Sequence, residues 1–227
     1  MVAAGSGVRA GGGVPKQFRE VGGVPVVLRA LRPFLAHPQV RDLVLVLPPP
    51  VVASLPSWLA PLVGERLRVA AGGGERMDSV EAGLRELGPE VTLVLVHDGA
   101  RPFPDRDVID GVLAAARRGV GAVAAVPVSD TLKEAAPGGD PTCPRVARTV
   151  ARTALWRAQT PQGFPRGMLE AALARARATG AVATDDAELV EALGETVVLV
   201  PDSLQNLKLT SAEDFRLAEV LAGLGGT

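Results

Sequence analysis

Tyrosine is absent, and aromatic residues make up only 3% of the 227 positions. A tyrosine-dependent dehydrogenase is therefore excluded. A single cysteine, Cys143, cannot form an internal disulfide, and one thiol in a chain of this length suits a reducing cytoplasm. Cys143 lies in a polar loop between two prolines, with no histidine near it in sequence, and reads as a surface thiol rather than a nucleophile. The only histidines are His37 and His97, so a His-rich metal site is also excluded. The formal net charge is -1, with no run of like charge to meet a nucleic acid and no apolar stretch long enough to span a membrane. The N-terminus shows no charged stretch followed by an apolar one, so no signal peptide is read and a cytoplasmic location is expected. Lysine is scarce as well. Of the 24 basic residues, only Lys16, Lys133 and Lys208 are lysines, and where a compact point charge has been kept against that bias it marks a position of interest. Any chemistry must run on arginine, lysine, aspartate and backbone.

What the chain does have is glycine, 26 in all, and an apolar fraction of 47%, enough to bury the core of one large domain over residues 1–227. Five glycines crowd the stretch from Ala3 to Gln17 (Gly5, Gly7, Gly11, Gly12 and Gly13), framed by Arg9 and Lys16. Glycine lets a backbone approach a ligand closely, and the two cations would meet phosphate. The loop alone does not decide between a phosphate cradle and a flexible tail. It carries neither the Gly-x-Gly-x-x-Gly dinucleotide fingerprint nor the Lys-Ser/Thr of a Walker loop.

Beyond the loop, apolar runs and amphipathic stretches alternate. Helices are expected over 24–35, 76–87, 105–118, 166–178 and 185–193, a Pro-rich helical segment up to 63, and a last helix from Ser211 behind a Ser-x-x-Asp capping box. Strands are expected over 42–47, 67–71, 91–96, 121–128 and 196–200, with the core resuming at 158–162 after the arm. This alternation implies an α/β fold with a mostly parallel twisted sheet and helices on both faces. Met1 and Val2 lead directly into Ala3-Ala4-Gly5, which leaves almost nothing of a first strand. The apolar run 91–96 ends at His97-Asp98-Gly99, and in open α/β sheets ligands bind beyond such carboxyl ends. Asp98 is thus a metal or ribose ligand, or else the cap of the next turn. Between Asp130 and Val150 the pattern breaks into a protruding β-arm, which packs on a second subunit or forms a surface loop.

The motifs Glu75-Arg76-x-Asp78-Ser79-Val80, His97-Asp98-Gly99-Ala100-Arg101-Pro102, Asp130-Thr131-Leu132-Lys133, Thr160-Pro161-Gln162 and Asn206-Leu207-Lys208 follow the opening Ala-Ala-Gly-x-Gly-x-Arg and Pro-Lys-Gln in order. In this it resembles the 2-C-methyl-D-erythritol 4-phosphate cytidylyltransferases of the non-mevalonate isoprenoid pathway, over nearly the whole chain. The resemblance implies a nucleotidyltransferase of Rossmann-like fold that joins CTP to methylerythritol phosphate and releases pyrophosphate, as a homodimer through the arm. It assigns Ala3, Ala4, Gly5, Gly7, Gly73, Gly74 and Ser79 to the nucleotide, and Asp98 to the magnesium that bridges the CTP phosphates. Arg9 and Lys16 would stabilise charge at the α-phosphate and on pyrophosphate. Arg152, Lys208 and Thr160 would hold the acceptor phosphate, with Thr131 and Arg101 reaching in from the partner subunit. Gly74, Gln205 and Leu207 depart from the pattern, where many members carry Asp, an acid and Ile. A cytidylyltransferase for ribitol or another polyol phosphate is the near alternative, and a nucleotide-binding protein without turnover the remote one.

Overall fold

The computed structural model describes residues 1–5, 15–138 and 140–224. In chain order its elements begin with a short hairpin, β1 (Glu20–Val21) and β2 (Val24–Pro25), that leads into helix α1 (Val26–Ala36). Pro25 sits just ahead of the helix and Pro33 inside it. The helix buries Val27, Ala30, Leu31 and Phe34 as a single stripe. Then come β3 (Leu43–Leu47), the short α2 (Pro49–Ala53), β4 (Leu67–Ala71), α3 (Arg76–Arg85), β5 (Leu93–Val96), α4 (Arg106–Ala116) and β6 (Gly121–Pro127). The arm is a hairpin of β7 (Leu132–Ala135) and β8 (Val146–Val150). The chain closes with β9 (Trp156–Pro165), α5 (Arg166–Thr179), α6 (Asp186–Ala192), β10 (Val197–Pro201) and α7 (Ala212–Leu224).

The sheet runs β4, β3, the N-terminal residues, β5, β9, β6, β10. Its two halves are joined at one place, where Val2 bridges Val46 of β3 and Asp98 just past β5, in parallel to both. The pairs β3–β4 and β6–β10 are parallel, while β9 runs antiparallel to both β5 and β6. The sheet is therefore mixed, with parallel strands in the majority. Helices α1 and α4 cover one face through Leu31, Phe34, Ile109 and Leu113. Helices α3, α5 and α6 cover the other through Val80, Leu84, Leu169, Leu173 and Val190. Every residue of β3 is buried, which explains its unbroken apolar run: a strand covered on both faces has no solvent side to mark with polar residues.

Most expected elements stand within a residue or two. The main difference is β9, which spans Trp156–Pro165 where the sequence shows only 158–162. Its buried Gln159, Thr160 and Gln162 interrupt the apolar signal. At α7, Ser211 and Asp214 form the expected reciprocal cap, with the Ser211 N–H donating to Oδ2 (2.7 Å) and the Asp214 N–H to Oγ (3.2 Å). Helix α3 has a second capping box, between Glu75 and Asp78. In the arm all of β7 is exposed, as is β8 apart from Val150, and the hairpin is stapled by an Arg148–Glu134 ion pair at 2.6 Å.

Candidate active site

The site is built around Asp98, which follows the carboxyl end of β5. Its N–H donates to Oγ1 of Thr160 at 3.0 Å, which fixes β9 to the turn after β5. The Thr160 hydroxyl stands 3.0 Å from Nδ1 of His97, and Nε2 of His97 stands 3.1 Å from the Arg101 carbonyl. A carbonyl only accepts, so Nε2 carries the proton and Nδ1 takes the threonine's. Burial pushes the His97 pKa down to about 4, so the ring is neutral near pH 7 and serves as a fixed connector.

Three cations surround the Asp98 carboxylate. Lys208 Nζ lies 2.9 Å from Oδ2, Arg101 Nε 3.7 Å from the same oxygen, and Arg76 Nη2 3.7 Å from Oδ1. Burial works to raise the Asp98 pKa, but Lys208, Arg76 and Arg101 outweigh it and hold the carboxyl well below the usual carboxylate range. Arg76 also pairs with Asp186 of α6 at 2.6 Å. Burial drives the Asp186 carboxyl up, against the pull of Arg76. Asn206 organises the opposite wall. Its Nδ2 donates to the Thr160 carbonyl (2.7 Å) and to Oδ2 of Asp202 (2.6 Å), while its own carbonyl accepts from Arg101 (2.8 Å) and Gln159 (2.9 Å). Gln162 ties β9 to α6 by donating to Asp185 (2.7 Å) and accepting from the Ala187 N–H (3.1 Å). The result is a cavity of about 230 Å³ whose lining includes Arg76, Asp98, Arg101, Thr160, Asp185 and Lys208.

The nucleotide candidates lie at the neighbouring strand ends. A Cβ on Gly72 would meet the Ala4 Cβ at 2.3 Å and Ser79 Oγ at 2.7 Å, so Ala4, Gly72 and Ser79 are in close contact. A Cβ on Gly73 would strike the Asp78 side chain at 2.4 Å, whereas one on Gly74 meets only Asp78 Oδ2, at 3.9 Å. Gly74 thus has room for a side chain. Gln17, 2% exposed, donates to the carbonyls of both Ala3 (2.8 Å) and Gly5 (2.9 Å) and so holds Pro15–Phe18 against the strand end. Lys16 opens the 3-10 turn beside it. Gly7 and Arg9 lie outside the described residues.

Asp98, Arg101, Thr160 and Lys208 are thus brought together, and Ala3, Ala4, Gly5, Gly73, Gly74 and Ser79 gather at the adjoining strand ends. Thr131 and Arg152 are not in the cavity. Both are exposed at the root of the arm, where Arg152 donates to the Ser129 carbonyl. The resemblance has Arg101 reaching from a partner; in this structure its guanidinium is buried beside Asp98 of its own chain. Sequence reasoning missed Arg76, Asp186, Gln17, Gln162 and Asn206 as site residues. All but Asp186 sit inside motifs already noted, so the motif positions themselves were the available signal.

A family model described as 2-C-methyl-D-erythritol 4-phosphate cytidylyltransferase matches residues 1–223. The chain is 43% identical to the protein of that name from Symbiobacterium thermophilum, over 96% of this chain and 89% of the relative. It is 44% identical to a bifunctional enzyme IspD/IspF of Anaeromyxobacter dehalogenans over 97% of its own length, and spans 55% of that longer protein. Among solved structures, the 2-C-methyl-D-erythritol 4-phosphate cytidylyltransferase of Thermus thermophilus superposes with a TM-score of 0.78 at 37% identity, covering 98% of both chains. The 4-diphosphocytidyl-2C-methyl-D-erythritol synthase of Anaerococcus prevotii gives 0.83 at 27% identity, covering 98% of this chain and 93% of the other. Since the matched span takes in the strand ends, the Asp98 cavity and the arm alike, the chain belongs to the 2-C-methyl-D-erythritol 4-phosphate cytidylyltransferase family.

Proposed function

We propose that the chain transfers the cytidylyl group of CTP to the phosphate of 2-C-methyl-D-erythritol 4-phosphate, giving 4-diphosphocytidyl-2-C-methyl-D-erythritol and pyrophosphate. A phosphate oxygen of the acceptor attacks the α-phosphorus in line. The Pα–O–Pβ bridge breaks on the α side, and its electron pair leaves with pyrophosphate. The acceptor is largely a dianion at neutral pH, since its second pKa is roughly 6, so the step needs no general base. It needs charge neutralisation and positioning. The observation that carries the reading is the cation set at one strand end: Lys208, Arg101 and Arg76 around Asp98, in a cavity of about 230 Å³.

In this reading Ala3, Ala4, Gly5, Gly7, Gly73, Gly74 and Ser79 receive the nucleotide. Arg9 and Lys16 neutralise the α-phosphate and the departing pyrophosphate. Lys208 leaves Asp98 for the acceptor phosphate, with Thr160 beside it. The exposed hairpin β7–β8 packs on a second copy in a cytoplasmic homodimer, and Thr131 and Arg152 at its root complete the acceptor site there with Arg101. Light scattering on a chain lacking residues 130–150 would then read monomers. No helix is long and apolar enough to cross a membrane among the described residues.

The residues fit a magnesium ion delivered with the triphosphate rather than a resident one. Among the described residues no three His, Cys, Asp or Glu side chains gather. Asp98 and Asp185 both line the cavity, but Asp185 is engaged by Gln162 and by the Glu188 N–H, which leaves Asp98 as the carboxylate for an ion, and magnesium binds well to a single carboxylate with substrate phosphates and waters. Asp98 would hold it, and the ion would supply further neutralisation of the phosphates.

The bond changes are tested with an acceptor whose phosphate oxygens carry ¹⁸O. Label confined to the diphosphate product supports attack by that phosphate; label in the released pyrophosphate contradicts it.

A further inference from the structure

Outside the cavity, one side chain of helix α5 reaches the turn assigned above to the nucleotide. Helix α5 buries Leu169, Ala172, Leu173 and Ala176 in the core beneath it. Arg177, next in the chain, lies against α3. Its guanidinium takes Glu81 in a planar fork, with Nε donating to Oε1 at 3.2 Å and Nη2 to Oε2 at 3.0 Å. Nη2 also donates to Oδ1 of Asp78. Asp78 and Glu81 are three residues apart on α3 and so share one face of it.

The other oxygen of Asp78 belongs to the turn. Oδ2 accepts the Glu75 N–H at 2.8 Å. The Gly73 backbone lies flat against the same side chain, so close that a Cβ on Gly73 would sit 2.4 Å from the Asp78 Cβ and 2.8 Å from Oδ2. Arg177, and after it the Glu75 N–H, hold the Asp78 carboxyl below its usual range, and the Gly74 N–H pulls the same way. Ser79, 2% exposed, is tied to the Glu75 carbonyl by its N–H (3.3 Å) and its hydroxyl (3.4 Å). Gly73, Gly74 and Ser79 therefore take their places from one carboxylate and the residue it holds.

Glu81 alone would staple α5 to α3. The further bond to Asp78 is what reaches the turn. Without a cation between them, Asp78 and Glu81 are like charges on adjacent turns of one helix and repel. Swinging Asp78 into solvent relieves that repulsion and frees the Glu75 N–H.

We infer that Arg177 is a positioning residue for the nucleotide: through Asp78 it keeps the Gly73–Glu75 backbone and Ser79 in the shape that receives CTP. The inference rests on the function proposed above. Arg177 belongs to none of the sequence motifs and stands 99 positions from Asp78.

Titration calorimetry with CTP and magnesium, together with steady-state kinetics, compares the unaltered chain with Arg177→Met. Affinity for CTP should fall by about 3–5-fold, near the upper worth of an exposed ion pair. KM for CTP should rise in step, while kcat and KM for the acceptor stay as they were. Hydrogen exchange at the Glu75 amide of the free protein should speed up. In an Asp78→Asn background Arg177→Met should cost nothing further, because no carboxylate is left to hold. Unchanged CTP affinity, or an equal loss with and without the Asp78 carboxylate, overturns the inference. So does a fall in melting temperature alone, which would leave Arg177 a staple between α3 and α5. An unaltered chain that binds no CTP would instead overturn the function on which the inference rests.

Discussion

The ammonium of Lys208 stands 2.9 Å from Oδ2 of Asp98. The pair joins the segment after β10 to the turn after β5, and it helps to hold the Asp98 carboxyl ionised before any substrate arrives. Lys208 is 42% exposed at its side chain and Asp98 only 12%, so the lysine is the partner that can swing toward a phosphate while the carboxylate stays.

Lys208→Met should therefore lower turnover by about 10²–10³-fold, the usual cost of losing one preorganised charge donor, while the melting temperature moves little. Asp98 keeps Arg76 and Arg101 as partners in that variant, so the fold does not inherit an uncompensated carboxylate. Steady-state kinetics with thermal melts checks this. Near-normal turnover would remove Lys208 from the mechanism.

Arg76 plays a different part. It spans Asp98 and the 1%-exposed Asp186, so Arg76→Met strands a buried carboxylate. The expected loss is about 3–5 kcal/mol, the range seen when one partner of a buried pair is removed. Arg76→Met combined with Asp186→Leu should recover much of it. A double variant no more stable than the single one would show that Asp186 is not what Arg76 neutralises.

His97 predicts a pH dependence. Its folded pKa of about 4, lowered chiefly by burial, lies below the ordinary 6.5, so the folded state binds the proton less well than the unfolded one. Its contribution is fully present above pH 6.5 and is lost as the pH falls from 6.5 toward 4, by something on the order of 3 kcal/mol. The charged groups facing the ring are Asp98, Arg101 and the Met1 amine. That amine, lowered from 8.0 to about 5, adds a loss of the same sign over its own window. Denaturant melts between pH 8 and pH 4 on the chain and on His97→Gln separate the two, since the variant should lack only the lower segment.

Gly72→Ala should raise the KM for CTP, because a Cβ there overlaps Ala4 and Ser79, and Ala4 must shift. Gly74→Ser, two positions on, has ordinary contacts only and should leave KM close to normal. Equal effects at both positions would mean that the whole turn, not the Gly72 contact, sets the nucleotide site.

Much of this was legible in the sequence because the physics is local. Apolar runs such as Leu43–Leu47 and capped starts such as Ser211 to Asp214 declare themselves within a few residues. The strand β9 was only half visible, because Gln159, Thr160 and Gln162 are buried polar residues whose partners Asn206, His97 and Asp185 come from elsewhere in the chain. Arg76 was hidden for the same reason, since its partner Asp186 lies more than a hundred residues on. The family motifs meet in space, since Asp98, Arg101, Thr160 and Lys208 line one cavity. They did not reveal that Arg101 is buried beside its own Asp98, with its guanidinium donating to the carbonyl of the distant Asn206.

The most direct measurement is pyrophosphate release with each of the four nucleoside triphosphates, in magnesium, with methylerythritol phosphate or ribitol phosphate as acceptor. The account predicts release with CTP and methylerythritol phosphate, and none with the other pairs. Release with ribitol phosphate in its place, or with a different nucleotide, would contradict the assignment of the acceptor or the base, and silence with every pair would contradict turnover itself.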